Sequence, residues 1–336
     1  MNFISDNNAG AAPEVLQAVV DANAGFAASY GDDEHTRRID TLFSDLFERE
    51  VRVFPVSTGT AANAIALAGV TPPWGAIVCH CEAHIEVDEA GAVEFYSGAK
   101  LALADGAGAK LTPDAVDEIV TRRGRGAHTS PAAALSVTLP NERGLLYSVE
   151  EMSALGACAR RHGLAFHVDG ARFANAIAAL KCAPADLTWR AGVDVMSFGA
   201  TKNGGLGAEA IVVFDPAQAE EIARRRKRGG HLVSKSRYMG AQWNAYLRDG
   251  LWLRLAEAAN VKAARIGAAA DGLLSHPVET NQVFIAPGAN GIAQLRRAGV
   301  GFYEWGHRGE VRLVAAWSHT DEEIEALCAL LRALLR

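Results

Sequence analysis

Lys202 sits where an amine could do covalent chemistry. It lies in Ser197-Phe198-Gly199-Ala200-Thr201-Lys202-Asn203-Gly204-Gly205, after the apolar residues Val193, Val195 and Met196. A lysine desolvated at the end of a buried strand gives up its proton more readily, because burial disfavours the ammonium. The neutral amine is the form that condenses with an aldehyde. A loop lysine taken alone is usually solvated, so the reading depends on its company. Asp169, in His167-Val168-Asp169-Gly170-Ala171-Arg172, ends a second apolar run. An aspartate ahead of a helix is ordinarily an N-cap, but it is also the acid that can keep a ring nitrogen protonated. Thr58-Gly59-Thr60 follows a β-branched run and opens an Ala/Leu-rich helix. Such a turn offers backbone N–H groups to a phosphate. His84, in Glu82-Ala83-His84, supplies a flat group for a ring face.

A lysine for an imine, an acid for a pyridine nitrogen, phosphate donors and a flat cover are the four needs of pyridoxal phosphate. The elements between them alternate. Strands read at residues 51–56, 76–80, 100–104, 133–139, 164–168, 193–198 and 210–214, with helices at 13–24, 36–48, 111–122 and 148–162. Alternation predicts an α/β fold with a mostly parallel sheet covered on both faces. Ligands in such sheets collect at the carboxyl ends of the strands, where Thr58, Asp169 and Lys202 all fall. Beyond residue 237 a long Ala/Leu-rich helical stretch runs to 274. Strand-like pieces at 282–286 and 311–316 and a helix at 320–335 follow. This predicts a large domain over 1–240 and a smaller α+β domain over 241–336, joined through the long helix.

These blocks, taken in order, resemble the low-specificity L-threonine aldolases of the fold type I, aspartate-aminotransferase-like pyridoxal-phosphate enzymes. The resemblance covers nearly the whole chain. It rests on Ser5-Asp6-Asn7, Tyr30-Gly31-Asp32-Asp33, Thr58 to Asn63, Ala83-His84-Ile85, Asp169 to Arg172, Ser197 to Gly204 and Arg228 to Lys235. It implies a seven-stranded sheet, with Lys202 holding the cofactor, Asp169 on its ring nitrogen and His84 on its ring face. Thr58, Gly59 and Thr60 would bind the phosphate, and Ser5, Arg172 and Arg312 the substrate carboxylate. Guanidinium suits a carboxylate on its own chemistry. His128 falls where relatives carry a histidine near the substrate hydroxyl. Arg228 and Tyr30 would complete a neighbouring subunit's site, which implies a homodimer or homotetramer.

The implied reaction is retro-aldol cleavage of L-threonine, L-allo-threonine or a related β-hydroxy-α-amino acid to glycine and an aldehyde. β-Elimination and transamination are the rival reactions of the same cofactor. His84, His128 and a bound water are the candidates for the base. Leu139 and Asn141 depart from the family pattern, which has a polar residue and a threonine there, and a leucine would favour a bulkier substrate such as phenylserine.

Other classes fit less well. The net charge of −6 argues against a nucleic-acid partner, despite the basic run Arg224 to Arg228. A phosphate-binding domain without catalysis would leave Lys202 and Asp169 no joint role, and the chain lacks GxGxxG. Cys79-His80-Cys81-Glu82 lists metal-binding side chains, but neighbours on a strand face opposite ways, so no metal is expected. Five scattered cysteines form no disulfide framework. With no signal-like or membrane-length apolar run, the expectation is a cytoplasmic protein.

Overall fold

The computed structural model describes residues 1–124, 126–306 and 309–335. Seven strands form the main sheet: β1 (Arg52–Val56), β2 (Ala76–His80), β3 (Lys100–Ala104), β4 (Ala132–Thr138), β5 (Ala165–Gly170), β6 (Val195–Gly199) and β7 (Glu209–Val213). Their spatial order is β1-β7-β6-β5-β4-β2-β3. β6, β5, β4, β2 and β3 run parallel, and β7 is antiparallel to both its neighbours. β1 therefore points the same way as the parallel strands. Its carboxyl end joins theirs on one edge of the sheet, together with the amino end of β7.

β2, β6 and β7 are buried at every position, as expected of strands with helices on both faces. The helix Gly59–Val70 lies deep between the sheet and its neighbours. Alanines at 61, 62, 64, 66 and 68 keep its surface small enough for that close packing. On the outer layer, Val149–His162 begins with a reciprocal Ser148–Glu151 capping box.

A second sheet of three antiparallel strands, ordered β8-β10-β9, is formed by β8 (Gln282–Ile285), β9 (Tyr303–Trp305) and β10 (Glu310–Val314). β9 is too short and too exposed to carry a strand signature, and the sequence does not suggest it. The predicted 237–274 helix is two helices, Arg237–Leu247 and Leu251–Ala269. Asp249 and Gly250 break it by taking φ of 52° and 69°, a left-handed conformation no helix continues through. The second helix spans both bodies. Leu251 to Ala256 pack into the core under the large sheet, whereas Ala263, Ile266 and Ala269 pack with the small sheet. The chain's start crosses over as well. Phe3 is fully buried among small-sheet residues, its N–H donates to the Gly301 carbonyl at 2.9 Å, and its carbonyl accepts from Val314 N–H at 2.9 Å. No described helix is long and apolar enough to cross a membrane.

Candidate active site

The shared sheet edge gathers the predicted residues. The turn after β1 carries Thr58, whose Oγ1 caps the helix Gly59–Val70 by accepting from Ala61 N–H at 3.1 Å. The amides of Gly59 and Thr60 precede any intrahelical acceptor and face the cavity as a phosphate cradle. After β2 comes His84, after β4 Glu142, at the end of β5 Asp169, Ala171 and Arg172, and after β6 Lys202. All of them line one cavity of about 320 Å³. A second cavity of about 750 Å³ opens outward from it and shares His84, Glu142, Arg172, Lys202, Trp305 and Arg312.

Lys202 sits in a short turn ended by Gly204, whose φ of 97° is left-handed. It makes no hydrogen bond or ion pair among the described residues. Burial, and then the Arg172 charge, pull its ammonium below the usual lysine range, as a nucleophilic amine requires. Asp169 is not a helix cap; Arg172 occupies the N-cap position of the following helix. Asp169 Oδ1 accepts from Ala171 N–H at 3.0 Å and Oδ2 from Asn63 Nδ2 at 2.8 Å. Burial alone would raise this carboxyl, but the charges of His84 and Lys202 and the Ala171 bond hold it ionised below the usual range.

His84 is fixed at both ends. Its backbone N–H donates to Glu142 Oε1 at 2.8 Å and its Nδ1 lies 2.8 Å from Glu89 Oε1. The Glu89 hydrogen bond, with help from the Asp169 charge, raises the imidazole above its ordinary value against the pull of burial. Glu89 also accepts from Asn63 at 2.9 Å, so one asparagine bridges Glu89 and Asp169. Glu89 has no sequence signal beyond its type, and Asn63 enters the sequence reading only as the end of the Thr58 to Asn63 block. Glu209 was missed for a different reason: it starts an antiparallel strand, and only the reversal of β7 brings it to this edge. It accepts from Thr201 N–H at 3.3 Å, and burial pushes it up to about 7.

Arg172 donates from Nε and Nη2 to the two Asp6 oxygens, at 2.7 and 2.8 Å. That edge of its guanidinium is therefore taken. Arg312 has no carboxylate partner among the described residues. It lies 4.6 Å from the Trp305 ring centroid and 5.2 Å from that of Tyr303, and its Nε is buried without an acceptor. Burial and the Arg172 charge lower it to about 10. Asp6 bonds Arg172 and not Arg312, which leaves the Arg312 guanidinium able to take an incoming anion. Ser5 lines the outer cavity, with its Oγ accepting from Asn7 N–H at 3.2 Å.

Three expected residues lie elsewhere. His128 is exposed in the loop before β4, at the opposite end of a seven-residue strand and so about 20 Å from the cavity within its own chain. Arg228 lines a separate surface hollow with Phe95, Tyr96 and Arg225. Tyr30 is half exposed under the Lys227 ammonium, 4.5 Å from its ring centroid. The reading of Leu139 as a site residue is corrected. Leu139 is fully buried in the main core, while Thr138, Pro140, Asn141 and Glu142 line the cavity. Alternation along the chain turns it away. Asn141 is spent on the turn, donating to the Gly108 and Ala109 carbonyls and accepting from Arg143 and Leu145 N–H. Cys79 is buried, His80 bonds the Gly106 carbonyl and Cys81 bonds Asp105, so the metal-like string diverges.

The cavity fits pyridoxal phosphate on its own terms. Asn63 Oδ1, Thr201 Oγ1, both amide atoms of Gln282 and Arg312 Nε are buried with no partner among the described residues, all on residues lining it. A bound polar group would satisfy them. The lysine, the ionised aspartate and the amide cradle at one edge of this sheet define a pyridoxal-phosphate enzyme of fold type I. Residues 2–289 match the family described as Beta-eliminating lyase. The chain is 39% identical to the low specificity L-threonine aldolase of Pseudomonas sp. (strain NCIMB 10558) and 40% identical to that of Pseudomonas aeruginosa. Each alignment covers 99% of this chain and 97% of the relative. Its fold matches the threonine aldolase of Leishmania major with a TM-score of 0.94 and 28% identity, over 100% of this chain and 99% of that one. The chain belongs to the Beta-eliminating lyase family and, within it, to the low-specificity L-threonine aldolases.

Proposed function

We propose that this lyase cleaves L-threonine, L-allo-threonine and β-aryl relatives such as phenylserine between Cα and Cβ, giving glycine and an aldehyde. The observation that carries the reading is the unpaired Lys202 amine in one cavity with ionised Asp169, beside the Arg312 guanidinium, which has no carboxylate partner among the described residues. Bound pyridoxal phosphate supplies the electron sink for the breaking bond. Lys202 would hold it, with Asp169 keeping its ring nitrogen protonated, the Thr58-Gly59-Thr60 turn binding its phosphate and His84 covering its ring. Arg312, the open edge of Arg172 and Ser5 would hold the substrate carboxylate. Fixing that group selects which Cα bond stands in the reactive direction, so positioning selects the reaction. The outer cavity, walled by Tyr303 and Trp305, has room for a β-substituent larger than methyl.

β-Elimination and transamination are not favoured, given relatives at about 40% identity over the whole chain that are named as aldolases. The same reading divides the chain into units 1–240 and 241–336 and makes it a homodimer or homotetramer. Arg228 and Tyr30 lie outside their own chain's cavity on exposed surface, which supports their serving a neighbour's. A cytoplasmic setting is consistent with five free thiols.

The test is borohydride reduction, proteolysis and mass spectrometry, with assay of glycine and acetaldehyde from L-threonine. A phosphopyridoxyl group on Lys202 with both products is the expected result. A reduced protein without that adduct, after supply of the cofactor, overturns it.

A further inference from the structure

We propose that Glu142 is the catalytic base that takes the proton from the substrate β-hydroxyl; this rests on the retro-aldol reading above. Three observations carry it. The first is position. Among the described residues, Glu142 is the one carboxylate that lines both the inner cavity of Lys202 and Asp169 and the outer cavity where the β-substituent would lie. Asp169, Glu89 and Glu209 line only the inner one, and Glu82, Asp88 and Glu304 only the outer.

The second is orientation. Glu142 Oε1 accepts from His84 N–H at 2.8 Å and from Thr138 Oγ1 at 2.7 Å. Both bonds use the same oxygen, which fixes the carboxyl at the wall of the two cavities. The third is the state of the rivals. His84 has a carboxylate beside each ring nitrogen, Glu89 Oε1 at 2.8 Å from Nδ1 and Asp88 Oδ2 at 3.6 Å from Nε2, and this raises the imidazole and favours its protonated form over a base's free nitrogen. His128 is at the far end of the sheet. Glu89 spends Oε1 on His84 and Asn63, and its Oε2 is sealed without contact to solvent.

The groups facing Glu142 are Thr138 from β4, His84 after β2, and Asp169 and Arg172 at the end of β5. Burial is the largest influence and pushes the carboxyl up to about 7 against hydrogen bonds from Thr138, the His84 N–H and its own backbone N–H; the Asp169 charge adds to the rise. A base so tuned is matched to neutral pH. In the step, the β-hydroxyl proton moves to Glu142, the oxygen's electron pair forms the C=O bond, and the Cα–Cβ bond breaks with its pair left toward Cα. The aldehyde leaves. Cα then takes up one proton and Glu142 gives one up, so glycine is formed and the enzyme returns to its starting charge.

The experiment compares Glu142→Gln with wild type in three measurements: kcat/KM for L-threonine against pH, exchange of the glycine Cα proton in deuterium oxide, and thermal unfolding of the cofactor-free protein. Glycine carries no hydroxyl, so its exchange bypasses the proposed base. Loss of cleavage by about 100-fold or more, with exchange and folding retained and the acid limb near neutral pH gone, is the expected result. Cleavage with the wild-type acid limb intact overturns the proposal, as does an equal loss of exchange. If Glu142→Gln does not fold, Thr138→Val serves instead. Removing that hydrogen bond should shift the acid limb to higher pH, and an unmoved limb overturns the proposal. Wild type that exchanges glycine but cleaves no β-hydroxy amino acid contradicts the aldolase reading itself, a separate failure.

Discussion

Asp6 and Arg172 are joined by two hydrogen bonds, of 2.7 and 2.8 Å, across 166 residues of chain. Asn281 donates a further hydrogen bond to Asp6 at 2.9 Å. Burial alone would raise Asp6, but the Arg172 charge and hydrogen bonds hold it ionised below the usual range. The pair orients Arg172 and consumes two of its five N–H donors. The burden of binding an incoming carboxylate thus moves to Arg312, the guanidinium that no described carboxylate bonds.

Arg312→Ala should accordingly raise KM for L-threonine about 10- to 100-fold, the worth of a charge-assisted hydrogen bond. Cofactor affinity, read by absorbance titration, should change little. A KM near wild type would mean that Arg172 alone binds the carboxylate.

Leu139→Gln should cost about 2–4 kcal/mol of stability in denaturant unfolding, because it places an amide in a sealed apolar site. The ratio of kcat/KM for phenylserine to that for threonine should stay as in wild type. A changed ratio at unchanged stability would return Leu139 to the site.

Trp305→Ala should lower phenylserine kcat/KM about 10-fold relative to threonine, since an aryl group would lose an aromatic wall worth about 1–2 kcal/mol. Equal losses for both substrates would instead point to Arg312, whose guanidinium rests on that ring.

Glu209 makes a prediction about pH. Its carboxyl titrates near 4.5 when free and at about 7 in the fold, because burial favours the neutral form. The unfolded chain thus releases this proton first as pH rises. The fold's advantage is full below 4.5 and falls away up to about 7, by about 3 kcal/mol at most. Glu142 acts with the same sign, whereas Asp6 and Asp169 act in a lower window and with the opposite sign. Unfolding of cofactor-free Glu209→Gln between pH 5 and 8 should slope less than wild type; an identical slope would contradict this.

Much of the site is legible in the sequence because strands end where chemistry begins. Thr58, Asp169 and Lys202 each follow an apolar run, and a parallel sheet lines such ends up. Glu209 escapes that logic because its strand runs backwards, and Glu142 because a proline-containing turn hides which side chains face in. The departure from the family at Leu139 drew attention to a residue that points into the core, three positions before the carboxylate that lines both cavities. Arg172 and Arg312 read alike as sequence, and only the folded chain shows that Asp6 has claimed one of them. β9 is invisible for its length, yet it brings Trp305 to the site.

Phe3 gives the site an order of assembly. Its carbonyl and amide are held by Val314 and Gly301, and only a few residues separate it from Ser5 and Asp6 at the substrate end. A growing chain emerging from a ribosome makes Phe3 early and its partners some three hundred residues later. The large sheet can form meanwhile, cradle and lysine included. The substrate end must wait. The anchor of the substrate end is thus built from the two ends of the chain, and the lysine and phosphate turn from its middle.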